Sequence, residues 1–159
     1  MSQIEGLYGA QGTALTCTIT SLGNGSLRQS TAIDNTANLF INALVQVTIK
    51  TNAAGTSGTG YVAVYAYGSA DSGTSYTDSI SGTDGAYTAP ASTPNIRQIG
   101  LINCTANATT YVSQPFSIEQ AFGGVMPEKW GIVVENQTGA ALDAAIGTSK
   151  YTGRKYQSV

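Results

Sequence analysis

Apolar and polar residues alternate along most of the chain with a period of two. In the clearest case, Val45, Val47 and Ile49 alternate with polar residues at positions 46, 48 and 50. The same alternation recurs in three further stretches, whose apolar sets are Leu15, Cys17 and Ile19; Val62, Val64 and Ala66; and Val112, Phe116 and Ile118. Successive side chains of a β-strand point to opposite faces, so each stretch predicts a strand with one buried face.

The stretch from Trp130 to Glu135 has a different pattern, because it is apolar on both faces. This pattern predicts a central strand that is covered on both sides. Residues 96–104, 140–146 and 150–157 each predict a further strand, which brings the expected total to about eight. Residues 118–122 suggest one helical turn, which Gly123 and Gly124 would end.

Segments rich in glycine, serine and threonine separate the predicted strands. The longest covers residues 68–94, and connections beyond about 15 residues are usually functional or mobile, so we interpret it as a candidate contact region. Many short strands with irregular connections predict an all-β fold, specifically a jelly-roll-like β-sandwich, with a closed barrel as the alternative. We divide the chain into an N-terminal arm, residues 1–12, and a single β-sandwich domain, residues 13–159.

Composition narrows the range of partners. Charged residues make up 10% of the chain and the net charge is −2, whereas typical soluble proteins have about 25% charged residues. There is no basic stripe to bind a phosphate backbone, and the long charge-free stretches are too polar to span a membrane, so we expect neither nucleic acid nor membrane as a partner. The N-terminal residues do not resemble a secretory signal, so we expect cytoplasmic synthesis and reduced thiols at Cys17 and Cys104, with one disulfide between them as the alternative.

The sequence offers little catalytic chemistry. It contains no histidine, the residue that most often serves as general base and as metal ligand. The nine carboxylates include no pair whose spacing indicates glycoside hydrolysis. Asp71, Asp78 and Asp84 lie in the long loop, but their spacing matches no calcium-binding loop. We therefore expect no enzyme activity, no metal and no cofactor.

Two groups of residues are candidates for an interface. Tyr61, Tyr65 and Tyr67 project from one face of a predicted strand, and this face is covered by loops of the same chain, or forms a subunit interface, or offers a platform for sugars. The other group lies at the chain ends, and its members are Ile4, Leu7 and Tyr8 in the N-terminal arm, with Arg154, Lys155 and Tyr156 near the C-terminus. We expect the arm to become ordered on a neighbouring subunit, and ordinary solvated chain ends are the alternative for both terminal groups.

Three stretches together resemble small virion structural proteins of tailed bacteriophages. They are residues 38–51, 60–68 and 122–140, with the sequences NLFINALVQVTIKT, GYVAVYAYG and FGGVMPEKWGIVVENQTGA, and the resemblance extends over residues 38–143. Members of this group decorate or cement a capsid, or lie on the tail. The resemblance implies no catalytic residues.

The resemblance therefore implies a role in the virion, assembled in the host cytoplasm. Its expected partners are the major capsid protein or other virion subunits, and the chain is expected to form a homo-oligomer on the particle. We interpret the protein as a capsid decoration (cement) protein that stabilises the head through contacts bridging neighbouring subunits. The alternatives are a tail or fibre-associated virion protein and a carbohydrate-binding β-sandwich module.

Overall fold

The computed structural model describes residues 3–90 and 95–158, and within these ranges the chain is nearly all β. Its strands are β1 (Ile4–Tyr8), β2 (Thr13–Ala14), β3 (Leu27–Gln29), β4 (Ile33–Asp34), β5 (Asn42–Thr51), β6 (Tyr61–Ser69), β7 (Gly85–Tyr87), β8 (Arg97–Asn103), β9 (Thr110–Val112), β10 (Phe116–Ser117), β11 (Lys129–Gln137) and β12 (Leu142–Ser158). Short 3₁₀ helices occupy Thr77–Ser79 and Glu119–Phe122. The predicted all-β fold is confirmed, as is the helical turn near residue 120.

The strands form two antiparallel sheets. The first has the order β1, β12, β5, β10, in which β2 pairs with β12 beyond β1 and β9 pairs with β5 beyond β10. The second has the order β7, β3, β11, β6, β8, with β4 pairing with β11 beyond β3. Strand β11 lies between two neighbours and Trp130 to Val134 are all buried, which confirms the predicted central strand.

The inward faces of both sheets contribute to one core. Val45, Val47 and Ile49 of β5 belong to the same apolar cluster as Val62 and Val64 of β6. Trp130 of the second sheet packs against Tyr151 of the first sheet. Their ring centroids are 5.3 Å apart and the rings are perpendicular, a geometry that aromatic pairs prefer. Each such side chain contributes about 1.5–3 kcal/mol on burial, which makes this core the main source of stability.

Two of the predicted strands differ in the structure. Leu15, Cys17 and Ile19 are buried as expected, but their segment is not a regular strand. The amide of Leu15 donates to the Ser149 carbonyl of the first sheet at 2.9 Å, whereas the Thr16 carbonyl accepts from Thr31, next to the second sheet, at 2.8 Å. The segment therefore crosses between the sheets and cannot pair continuously with either.

The alternation assigned to residues 112–118 is wrong in its first half. Val112 is exposed and Ser113 is buried, where the Ser113 hydroxyl oxygen accepts from the Val47 amide at 3.0 Å. Pro115 cannot donate to the ladder, and it separates β9 from β10. The side-chain phase changes across this break, so Phe116 and Ile118 are buried while Val112 is not.

The predicted division into a free N-terminal arm and a domain also needs correction for residues 3–12. Residues 4–8 form β1, which pairs with β12 in the register Ile4 to Ser158 through Tyr8 to Arg154. The glycines of this segment predict no stable local structure. The pairing is nevertheless possible because β12 extends far enough to supply a partner strand, and this long-range contact leaves no local sequence signal.

The long loop covers the outer face of the second sheet. Ile80, Tyr87 and Ile96 are buried there against Tyr67 and Val133 in a second apolar cluster. Asp84 fixes the loop to the sheet, because its carboxylate accepts from Arg28 Nε at 2.7 Å and from the Thr18 amide at 3.0 Å. Positions 91–94 of the predicted contact region lie outside the described residues.

We predict that Asp84→Asn destabilises the protein in a pH-dependent way. The hydrogen bond from Arg28 holds the pKa of Asp84 at about 2, below its value of about 3.9 in an unfolded chain. The stabilisation is therefore present above pH 4 and is lost as the pH falls through 2, and it amounts to about 2 kcal/mol. Urea unfolding should show this loss at pH 7 and a smaller one at pH 2.5. An equal loss at both pH values would contradict the assignment.

Cys17 and Cys104 are both buried free thiols, as the sequence predicts. Burial raises the pKa of Cys17 to about 12 and that of Cys104 to about 11. Because the thiolate is the reactive species, both side chains contribute to the core as small apolar groups.

Candidate functional site

The chain ends form a two-stranded ribbon that extends beyond the body of the protein. Strand β12 pairs with β5 as far as Arg154, opposite Asn42, which is the first residue of β5. Residues 155–158 continue past this point and pair with β1. We call β1 together with residues 154–158 the terminal ribbon. It brings together the six terminal candidates that the sequence predicts, on strands that are far apart in the chain.

One face of the terminal ribbon is exposed and carries three large apolar side chains, with Arg154 and Ser158 beside them; we call it the apolar face. Ile4, Tyr8 and Tyr156 lie on this face, and their exposed fractions are 75%, 60% and 60%. Gly6 lies among them, and a Cβ atom placed there would be 3.5 Å from Arg154 Nη2 and 3.9 Å from Tyr156 Cε1. The guanidinium and the phenol ring therefore lie across the glycine and cover its backbone. Leu7 and Lys155 pair with each other on the opposite face and are half-buried.

The base of the terminal ribbon is held firmly by the body. The Phe40 ring lies against Gly9 and Gly153, where a side chain could not be accommodated without displacing it. The Ile41 amide donates to the Arg154 carbonyl at 2.8 Å. The apolar face also continues onto the first sheet, because Tyr8 lines a shallow groove whose other lining residues are Gln11, Leu44, Gln46, Pro115 and Thr152.

Two loops beside the ribbon base add further exposed apolar side chains. Leu39 and Val125 have exposed fractions of 70% and 74%, and their loops are joined by a hydrogen bond from the Asn35 amide to the Glu128 carbonyl. Leu39 has a φ of +52°, a left-handed conformation that costs energy for a side chain of this kind. Sequence reasoning missed both residues, because an isolated apolar residue in a loop carries no periodic signal. We call the terminal ribbon with these two loops the ribbon end.

The predicted tyrosine face exists, but it is largely covered. Tyr67 is fully buried beneath the long loop, and its hydroxyl donates to the Ser30 carbonyl at 2.7 Å. Tyr65 is half-buried and donates to Glu135 Oε2 at 2.7 Å; burial and this carboxylate raise its pKa. Tyr61 remains exposed. Tyr67 is therefore corrected from an interface candidate to a core residue, and the three rings do not form a continuous platform.

The three aspartates of the long loop do not form a cluster, because each one bonds to different partners. Asp71 accepts from the Ser69 hydroxyl at 2.6 Å and from the Ser75 amide at 2.9 Å. Asp78 accepts from Asn95 Nδ2 at 2.7 Å, and Asp84 is paired with Arg28. Within residues 3–90 and 95–158, the structure has no group of three or more histidine, cysteine, aspartate or glutamate residues arranged to hold a metal ion.

Comparisons with known proteins give no assignment. No protein-family model matches the chain, and no significant match is found among curated proteins or among solved structures. In the described part of the chain, no helix is long and apolar enough to cross a membrane. Any function must therefore be argued from the sequence and from the geometry of the ribbon end.

Proposed function

We propose that this chain is a structural virion protein of a tailed phage, a capsid decoration protein that binds neighbouring head subunits through its ribbon end. The observation that carries the proposal is the exposed apolar face of Ile4, Tyr8 and Tyr156 on a ribbon beyond the body. A two-stranded hairpin is marginally stable in water. A ribbon that exposes three large apolar side chains on one face is best stabilised when a neighbouring subunit covers that face.

The fold supports this proposal if the sandwich is a jelly roll, which we also propose. Short strands that follow each other along the same neighbouring strand are counted as one: β1 with β2, β3 with β4, and β9 with β10. Without β7, this gives eight strands, which are numbered 1 to 8 in chain order. The order of these strands in the two sheets is 1-8-3-6 and 2-7-4-5, the order expected for a jelly roll. Jelly rolls are common in viral capsid proteins and in lectins, so the site has to discriminate between these roles.

The mechanism that we propose is mechanical. Each of the three exposed side chains would contribute about 1.5–3 kcal/mol when buried on a neighbour, before the cost of ordering is subtracted. Many copies on one particle would act together, because each attached copy raises the effective concentration of its neighbours' contacts. The added interface would resist the outward pressure of the packaged DNA.

Binding to particles tests the proposal directly. The full-length protein should co-sediment with heads that lack it, taken from the phage whose genome encodes the chain, and should saturate at a fixed number of copies per head. A glycan array tests the carbohydrate-binding alternative. Binding to isolated tails, with none to heads, would favour the tail or fibre-associated alternative. Glycan binding without binding to either part of the virion would overturn the virion proposal.

A further inference from the structure

The outer edge of β1 has unpaired backbone groups in a defined pattern. The Gly9 amide donates to the Gly153 carbonyl at 2.8 Å, which makes these two residues a hydrogen-bonded pair. In an antiparallel ladder such pairs alternate with non-bonded ones. The backbone groups of Glu5 and Leu7 therefore face β12, and those of Ile4, Gly6 and Tyr8 face away from it.

This edge differs from the other sheet edges in the described part of the chain. Strands β7 and β10 are edges of three and two residues, and β8 has a register shift against β6 at Val64 and Tyr65. Short or irregular edges are the usual protection against pairing with another chain. Strand β1 has five residues in unbroken register and no other strand beside it.

We propose that β1 pairs in an antiparallel manner with β1 of a second copy, about a two-fold axis at Gly6. The segment Ile4–Tyr8 is self-complementary about this glycine: Gly6 faces Gly6 of the second copy, and Ile4 faces Tyr8 of the second copy in both directions. These are the residues whose N–H and C=O groups point outward, so every pair can exchange both hydrogen bonds. The same surface on both copies gives a closed dimer.

The side chains also fit this arrangement. On the apolar face, each Ile4 lies beside a tyrosine of the second copy, and aromatic residues pair favourably with β-branched ones across strands. Each Tyr156 ring already reaches over its own Gly6, so the two rings approach each other above the paired glycines. On the opposite face, Glu5 faces Leu7 of the second copy, with the oppositely charged Lys155 of that copy on the next strand.

The bodies of the two copies do not compete for space in this dimer. Each body lies beyond the Tyr8 end of its own β1, and the antiparallel arrangement places these ends on opposite sides of the axis. The apolar faces of the two ribbons point the same way and become continuous. The inference deepens the proposed function by naming a second copy as the partner of the ribbon edge, while the doubled apolar face stays free for a capsid. The exposed edge of β1 would pair in this way whether or not the protein belongs to a virion.

Sedimentation of the purified full-length protein tests the dimer. The wild type should be dimeric at about 50 µM and dissociate on dilution. Gly6→Pro removes an outward N–H group and places a ring on the edge, so it should be monomeric, and its thermal midpoint should equal that of the wild type at dilutions where the wild type is also monomeric. Gly6→Ala keeps the N–H group and, with contacts of 3.5 Å or more, should stay dimeric. A monomeric wild type overturns the proposal even if the protein binds heads.

Disulfide trapping is a second test that does not need the proline variant to fold. Paired residues of this kind have Cα atoms about 5.5 Å apart, within the range of a disulfide. Gly6→Cys should therefore form an intermolecular disulfide on mild oxidation. Ser158→Cys is the matched control, because its two copies would lie about 20 Å apart across four strands. Equal cross-linking of both variants, or of neither, contradicts the two-fold pairing.

Discussion

Replacing Ile4, Tyr8 and Tyr156 together by serine is expected to weaken attachment to phage heads at least about 100-fold, because burial of these three side chains supplies several kcal/mol. The thermal midpoint should change little at dilutions where the protein is monomeric, since all three are exposed in a single copy. Titration of labelled protein onto heads that lack the native copy, with free and bound protein separated by sedimentation, measures the affinity. Calorimetry of each variant measures the midpoint.

Val112→Ser is the matched control for this experiment. Val112 has an exposed fraction of 59% and lies on β9 of the same sheet, outside the ribbon end, so its replacement should leave attachment unchanged. Deleting residues 1–12 would be a poorer test, because it also removes the partner strand of residues 154–158. Wild-type attachment of the triple variant would exclude the apolar face of the terminal ribbon as the docking surface.

Gly131→Ala is expected to lower the free energy of unfolding by about 3 kcal/mol, through overpacking and a lost hydrogen bond. Gly131 faces Tyr67 across the β11–β6 ladder, and a methyl group at Gly131 would overlap the Tyr67 ring. The ring cannot move away without breaking the bond from its hydroxyl to the Ser30 carbonyl. Chemical denaturation followed by the fluorescence of Trp130 would measure the change.

Gly58→Ala is the control, because it adds the same methyl group at a position where the group contacts nothing. Gly58 lies in the loop before β6, and a Cβ atom there would meet nothing within 4 Å, so its replacement should change stability by less than about 0.5 kcal/mol. Similar stability of both variants would mean that Tyr67 does not depend on the space above Gly131.

The sequence predicts those parts of the fold that depend on local periodicity. Val45, Val47 and Ile49 alternate with polar residues because one face of β5 lies on the core. Trp130 to Val134 are apolar throughout because β11 is covered on both faces. In both cases the burial of each residue follows from its position in a single strand, so no knowledge of distant partners is needed.

Features that depend on distant partners could not be predicted in the same way. The period-two pattern of residues 15–19 reports their burial correctly, but it cannot show that their hydrogen bonds go to two different sheets. The tyrosines of β6 share a face as predicted, yet the loop that covers Tyr67 is fixed by Asp84 on Arg28. The apolar residues Ile80, within that loop, and Ile96, just after it, could have indicated that the loop packs on the sheet.

The sequence pointed to residues at both chain ends as interface candidates, but it did not predict that the two ends pair in one ribbon. Ile4 and Tyr8 were chosen as apolar residues of the N-terminal arm and Tyr156 as an aromatic beside a basic pair, and the structure places the three on one face. Their pairing joins the two ends of the chain, which no local pattern encodes. The ribbon also changes the expected mechanism, because a preformed edge loses less entropy on docking than a flexible arm.

A reconstruction of the intact virion that resolves individual strands tests the central claim most directly. The account predicts copies of the chain on the outside of the head, with the ribbon end against the major capsid protein and the apolar face of Ile4, Tyr8 and Tyr156 covered. The loops around Gly25 and Gly58 should face away from the shell, because Gly25 bonds to Asn136 near the end of β11 and Gly58 follows the end of β5 that is far from the ribbon. Density for the chain that is absent from the head, or that contacts the shell through those loops with the ribbon end in solvent, would contradict the account.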